Sequence, residues 1–144
     1  MLLTLTPLFA LAVALAAPAE RAATIVQAPD SPVRLDRAVV LSSSEGPPVV
    51  LYSATNLTGE ALDQFTVMAF VFKADGTLKA RQIAPGRRTL EAHETKYSTM
   101  VLDGSPIDAA DIIVVGVNQA QRVNSDAWWR AELQPAAEAR IPKK

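Results

Sequence analysis

His93 is the sole histidine of a 144-residue chain, and cysteine is absent. Those two facts bound most of the chemistry open to it. A mononuclear zinc site draws on several His, Cys or carboxylate ligands, so one imidazole without thiolates falls short of a set. A Ser–His–Asp triad would have to use His93, and no Gly-x-Ser-x-Gly elbow is present to raise a serine. Ala92 and Glu94 flank His93 in a stretch that reads as a turn, where an imidazole serves as solvated surface. Asp103, Asp108 and Asp111 make an acidic loop, "DGSPIDAAD". Calcium accepts carboxylate and carbonyl oxygens, but the spacing matches no EF-hand, Pro106 interrupts it, and aspartates are ordinary turn formers. Arg81, Arg87 and Arg88 gather around "APGRR" and could meet an anion or simply hydrate a turn. Asn56-Leu57-Thr58 is a glycosylation sequon that also reads as turn chemistry, and no glycine-rich phosphate loop occurs. The residues nominate no catalytic, metal or cofactor site. A small metal-dependent or hydrolytic enzyme stands as the alternative, and it needs His93 beside the acidic loop.

Charge narrows the partners. Fourteen basic residues against 15 acidic ones give a net charge of -1, which lacks the basic excess that phosphate backbones demand, so nucleic acid is not an expected partner. The first nineteen residues, "MLLTLTPLFALAVALAAPA", carry no charged side chain. Leu8 to Ala17 form a short apolar core, and Ala17-Pro18-Ala19 supplies the small–x–small pattern of a signal-peptidase site. A spanning helix needs about 20 apolar residues, and Pro7 interrupts this run, so a cleaved leader is expected over an anchor. An uncleaved leader would instead make a membrane-tethered accessory domain. The expected destination is periplasmic or extracellular. Without cysteine the exported chain has no disulfides to support a thin core, but at this length it can bury roughly two-thirds of its unfolded surface and fold without them.

The elements that must position any site are short. Val33, Leu35, Arg37 and Val39 alternate with Arg34, Asp36 and Ala38, a fair strand pattern. "VVLYSATNLTGE" reads as a strand ending in a turn, and Asp75-Gly76 as a hairpin turn between Phe65–Lys73 and Thr77–Ile83. Leu90 and Tyr97–Leu102 mark one or two further strands, "IIVVGV" another, and "AWWRAEL" the last. Pro29 and Pro32 confine the segment around Ala23–Gln27 to a sheet edge. No sustained helical period occurs after the leader. Seven or eight short strands with regular turns predict an all-β antiparallel sandwich. The expected division is 1-19 signal peptide, 20-134 a single sandwich domain, and 135-144 a flexible C-terminal tail.

From about Val49 to Leu133 the chain resembles the immunoglobulin- or fibronectin-III-like domains of many exported bacterial proteins of unknown function. "ATNLTGEALDQFTVMAFVFKADGTL", "TLEAHETKYSTMVL" and "DIIVVGV…AWW" carry the resemblance. Ala92-His93 stands where Pro-Gly is common, and the Asp-Gly turn that often precedes the tryptophans is missing. The resemblance implies a fold and brings no catalytic residues.

One strand poses the functional question. Between Phe65 and Phe72 every side chain except Thr66 is apolar. Since neighbours point to opposite faces, Phe65, Val67, Ala69 and Val71 share one face, and Met68, Phe70 and Phe72 the other. Ile112–Val117 is two-sided as well. In an immunoglobulin-like order the two would be strands C and F, side by side, so their outer residues would merge into one patch. The N-terminal segment or the tail could fold over that patch. Otherwise it is a surface for homodimerisation or for another exported protein, because contiguous apolar patches mark interfaces. Met68 and Phe70 are expected to point outward. Of the adjacent Trp128 and Trp129, one must face the core and the other solvent, where it could anchor an interface, stack on a sugar, or cap the sandwich edge. Met68, Phe70 and Trp129 are therefore the candidate interaction residues of an exported, non-enzymatic binding or assembly module.

Overall fold

A computed structural model describes residues 17–84, 89–104, 106–123 and 125–143. Residues 1–16 of the expected leader lie outside them, as do Arg87 and Arg88. Alternating apolar residues and turn chemistry yield nine strands among the described residues: β1 Ala19–Ala22, β2 Thr24–Val26, β3 Val33–Ser43, β4 Gly46–Asn56, β5 Leu62–Phe72, β6 Leu78–Ile83, β7 Thr95–Val101, β8 Ile112–Arg122 and β9 Ala127–Trp129. One sheet has the order β1-β3-β4-β7, and the other β2-β8-β5-β6 with β9 also on β8. The two stack as an all-β sandwich. One pairing departs from the antiparallel expectation: β2 runs parallel to β8, Thr24 opposite Val114. The parallel pairing follows from the chain's path, since β1 on one sheet and β2 on the other are separated only by Ala23. Leu90 does not form a strand of its own but bridges Leu62 as an isolated pair.

The sandwich interior is built from the inner faces. Phe65, Val67, Ala69 and Val71 of β5 and Ile113, Val115 and Val117 of β8 pack against Val40, Val50, Tyr52 and Met100 of the facing sheet. The Asp75-Gly76 turn forms as its residues dictate: Gly76 takes a φ of 89°, and Lys73 N–H donates to Thr77 O at 2.9 Å. At the other end Asn56 is fully buried and acts as a staple. Its Nδ2 donates to the carbonyls of Glu60, Leu90 and Glu91, and its Oδ1 accepts from Thr58 N–H and Oγ1. The sequon asparagine is thus consumed by turn chemistry in the folded chain.

A second cluster lies outside the sandwich and answers the question posed by β5. Met68, Phe70 and Phe72 do face outward, joined by Ile112 and Val114 of β8. They are covered by a segment that begins at Leu133, at the end of the predicted domain, and runs on into the predicted tail of residues 135–144. Residues Leu133–Glu138 form a short helix, α1, and Leu133, Ala137 and Ile141 lie on the patch. Leu133 and Ala137, four apart, share one helical face, Ile141 follows just past the helix end, and Pro135 sits in the first turn, where its missing N–H costs nothing. Gly116 makes the seat. A Cβ there would lie 2.5 Å from Leu133 Cδ1 and 3.1 Å from Val26 O, so only glycine lets the leucine reach the strand. The domain therefore continues past residue 134 to include α1 and Ile141. Among the described residues no helix is long and apolar enough to cross a membrane.

Candidate functional site

With one sheet face covered by α1, the other outer face comes into question. Pairing registers align its outward residues in rows across the β1-β3-β4-β7 sheet: Glu20, Leu41, Val49 and Val101 in one, Ala22, Val39, Leu51 and Thr99 in the next, then Arg37, Ser53 and Tyr97. No helix crosses these rows among the described residues. A groove of about 540 Å³ runs over them, with Val39, Leu41, Leu51 and Tyr97 as its apolar wall and Glu20 and Arg37 at its edge. Arg37 Nη2 meets Glu20 Oε1 at 3.2 Å, an exposed pair of small energetic weight. Tyr97 is 84% exposed, which for an aromatic ring on a sheet is a large uncovered apolar surface. The sequence reading missed this face. Its signal was present in the alternation Val39/Leu41 and Val49/Leu51, where both phases of each strand are apolar.

The candidate residues named from sequence separate in space. Met68 is half-buried and Phe70 is 1% exposed, both beneath or beside α1, so neither presents a free surface in this conformation. Trp128 and Trp129 face opposite ways. Trp128 is half-buried at the core's edge and donates its Nε1–H to Asp30 Oδ2 at 3.0 Å, whereas Trp129 is 62% exposed. Trp129 thus stands outside both the covered patch and the open groove.

His93 occupies a φ of 59°, a left-handed conformation that glycine adopts most easily, and its N–H donates to Thr58 O at 3.3 Å. That places it at the sandwich end where β4 finishes and β5 begins. The acidic loop precedes β8 at the opposite end, and β8 is 11 residues long, a length of about 35 Å. The constellation of His93 with the aspartates is therefore not assembled. No group of three His, Cys, Asp or Glu able to hold a metal occurs among the described residues.

The acidic loop has a resident cation instead. Lys79 Nζ from β6 reaches Asp111 Oδ2 at 2.6 Å, Asp108 Oδ2 at 3.1 Å and Pro106 O at 2.6 Å. The two facing side chains, Lys79 and Asp111, are only 11% and 4% exposed. Arg21 of β1 adds bonds to Ala109 O at 2.9 Å and Asp111 O at 3.0 Å. An ammonium fills the space a metal would take, and the loop is lashed to both sheets. Arg81 lies on β6, opposite Phe70 in register and exposed to solvent.

This lashing predicts an acid-sensitive limb of stability. Burial alone would raise the Asp111 carboxyl, but the Lys79 hydrogen bond, the Asp108 N–H and the charges of Lys79 and Arg21 together hold it below its ordinary value. Asp36 is likewise held down, by Thr55 and Arg34 against the effect of burial. The Asp111 hydrogen bond is the main cause raising Lys79, against desolvation, with Asp108 assisting. A carboxyl lowered on folding contributes stability above the unfolded pKa of about 4 and loses it as pH falls through the folded value; a raised lysine contributes below about 10 and loses it only as pH rises through its own. Thermal midpoints are expected to be level across the neutral range and to drop in acid. The drop should be shallower in Asp111→Asn, whose own midpoint at neutral pH is lower. Equal acid slopes for the two proteins would remove Asp111 from the account.

Comparison with protein-family models, with curated proteins and with solved structures finds no match for this chain.

Proposed function

We propose that this protein is an exported, non-enzymatic binding or assembly module on an immunoglobulin- or fibronectin-III-like sandwich, and that it docks another exported protein through the open face of the β1-β3-β4-β7 sheet. One observation carries the docking reading: among the described residues, a helix covers one apolar sheet face and no element covers the other, with its groove and Tyr97. Contiguous exposed apolar surface is costly in water and is characteristic of interfaces. The immunoglobulin-like reading is supported by the order β5-β8-β9, which corresponds to strands C, F and G. Export is supported by the leader's uncharged apolar core, and by the exposure of Ala17, Pro18 and Ala19 at the expected cleavage site.

The absence of cysteine makes the test clean, because any introduced thiol is unique. A photo-crosslinker attached at Leu41→Cys is expected to form a discrete adduct with a component of the exported fraction. The same label at Lys73→Cys, away from this face, should not, and Leu51→Lys should abolish the adduct while leaving circular dichroism unchanged. Equal labelling from both positions, or labelling indifferent to Leu51→Lys, would overturn the reading.

A further inference from the structure

The helix α1 covers only part of its sheet. Beyond Met68 and Gly116 the same outer face continues in two rows set by the strand registers. Thr66, Gln119 and Trp129 make one row, and Gln64, Gln121 and Ala127 the next. Partners across a ladder point to the same side. Phe65 and Ala120 lie in the sandwich interior with Trp128 packed against it, so their neighbours in these rows point outward. None of the six side chains is charged. Trp129 is 62% exposed, and Gln64, Gln119 and Gln121 are half-buried around it. Among the described residues none of these three amides makes a side-chain hydrogen bond. Gln27, by contrast, spends its amide on Val33 O at 3.0 Å and Leu35 N–H at 3.2 Å. Thr66 Oγ1, in the row of Trp129, is buried and has no hydrogen-bond partner among the described residues, although buried polar groups are ordinarily paired.

We infer that these two rows form a platform for a neutral saccharide, with the Trp129 indole as the stacking surface and the three glutamines as its hydrogen-bonding partners. A pyranose ring has an apolar face of C–H groups and a rim of hydroxyls, each both donor and acceptor. An exposed indole on a flat sheet meets the first, because it offers a large apolar surface at little conformational cost. A primary amide carries donors and an acceptor side by side and so meets two neighbouring hydroxyls at once. The lack of charge in both rows suits an uncharged ligand and gives a phosphate or carboxylate nothing to pair with. Across the strands the platform measures roughly 10 Å, and along them about 7 Å, the footprint of a disaccharide. The half-buried glutamines are already restricted by their neighbours, which lowers the ordering cost of binding. This platform lies on the other sheet from the open groove and does not depend on the docking reading, so the two fail separately.

Titration of the protein as isolated with chitohexaose and with cellohexaose, followed by amide correlation NMR, tests this. With at least one of them, saturation is expected at or below about 5 mM, ordinary for a shallow site. The two indole N–H signals report separately. That of Trp129 should shift together with the glutamine side-chain amides, while that of Trp128, held by Asp30 at 3.0 Å, should stay. Trp129→Ala should weaken binding at least about tenfold, and Gln119→Ala or Gln121→Ala about threefold or more. Their thermal midpoints should not move, because the wild-type side chains have no partners to lose. Salt at about 0.5 M should leave the affinity unchanged, since no charge takes part. No shift with either sugar, shifts confined to Trp128, or an affinity indifferent to Trp129→Ala would overturn the site. Binding limited to an anionic polysaccharide such as alginate and abolished by salt would overturn the neutral ligand.

Discussion

A chain ending at Arg130 is expected to lose on the order of 5 kcal/mol of stability and to bind hydrophobic dyes. Leu133 and Ile141 each contribute roughly 1.5–3 kcal/mol by leaving water. Both are buried against the outer face of the second sheet, with Ala137 between them. Removing them also strips the cover from Phe70, Phe72 and Val114, which are fully buried in the intact protein. A small domain is stable by only about 5–15 kcal/mol, so this loss approaches its whole margin. Denaturant titration of the two lengths measures it, and the truncated form should aggregate at concentrations where the full chain stays soluble. An unchanged denaturation midpoint, with no dye bound, would show that α1 is not what holds this face.

Phe70→Ser is expected to act on folding and not on association. The ring is 1% exposed, lies 6.3 Å from Phe72 in a stacked arrangement, and packs with Val114 and Leu133. Truncating a buried phenylalanine costs about 3–5 kcal/mol, from lost transfer energy and the cavity left behind. Phe70→Leu should cost much less, because it preserves most of the volume. Were Phe70 the anchor of a partner, the serine variant would keep its midpoint and change only its mass in solution. Thermal unfolding and light scattering on the same samples separate these outcomes.

Both results turn on a feature that sequence patterning indicates only in part. The two-sided character of β5 is local: alternate residues of "FTVMAFVF" point opposite ways whatever surrounds them, so Met68, Phe70 and Phe72 were bound to share an outer face. The pairing of β5 with β8 is the neighbourhood expected from the resemblance to immunoglobulin-like domains. What covers that face depends on Leu133, Ala137 and Ile141, three residues in a stretch with too few turns to show a helical period. Their seat, Gly116, lies 17 positions before Leu133, and a lone glycine within a β-branched run signals a close approach without saying of what. Tyr97 escaped notice for the converse reason. One tyrosine in a polar strand looks ordinary until the fold sets it in one groove with Val39, Leu41 and Leu51.

By itself the sequence determined an all-β chain with no thiol chemistry, a single imidazole, near-balanced charge, and a central strand apolar on both sides. These are properties of composition, alternation and turn residues, which act over a few positions. Only the tertiary structure decided that the supposed tail packs on a sheet, that Lys79 occupies the acidic loop, that His93 stands at the far end from it, and that the apolar face left uncovered by the described residues belongs to the sheet of β7. Each of those depends on residues distant in the chain being brought within a few ångströms, and such closures are set by the summed burial of the whole sandwich, not by any local pattern.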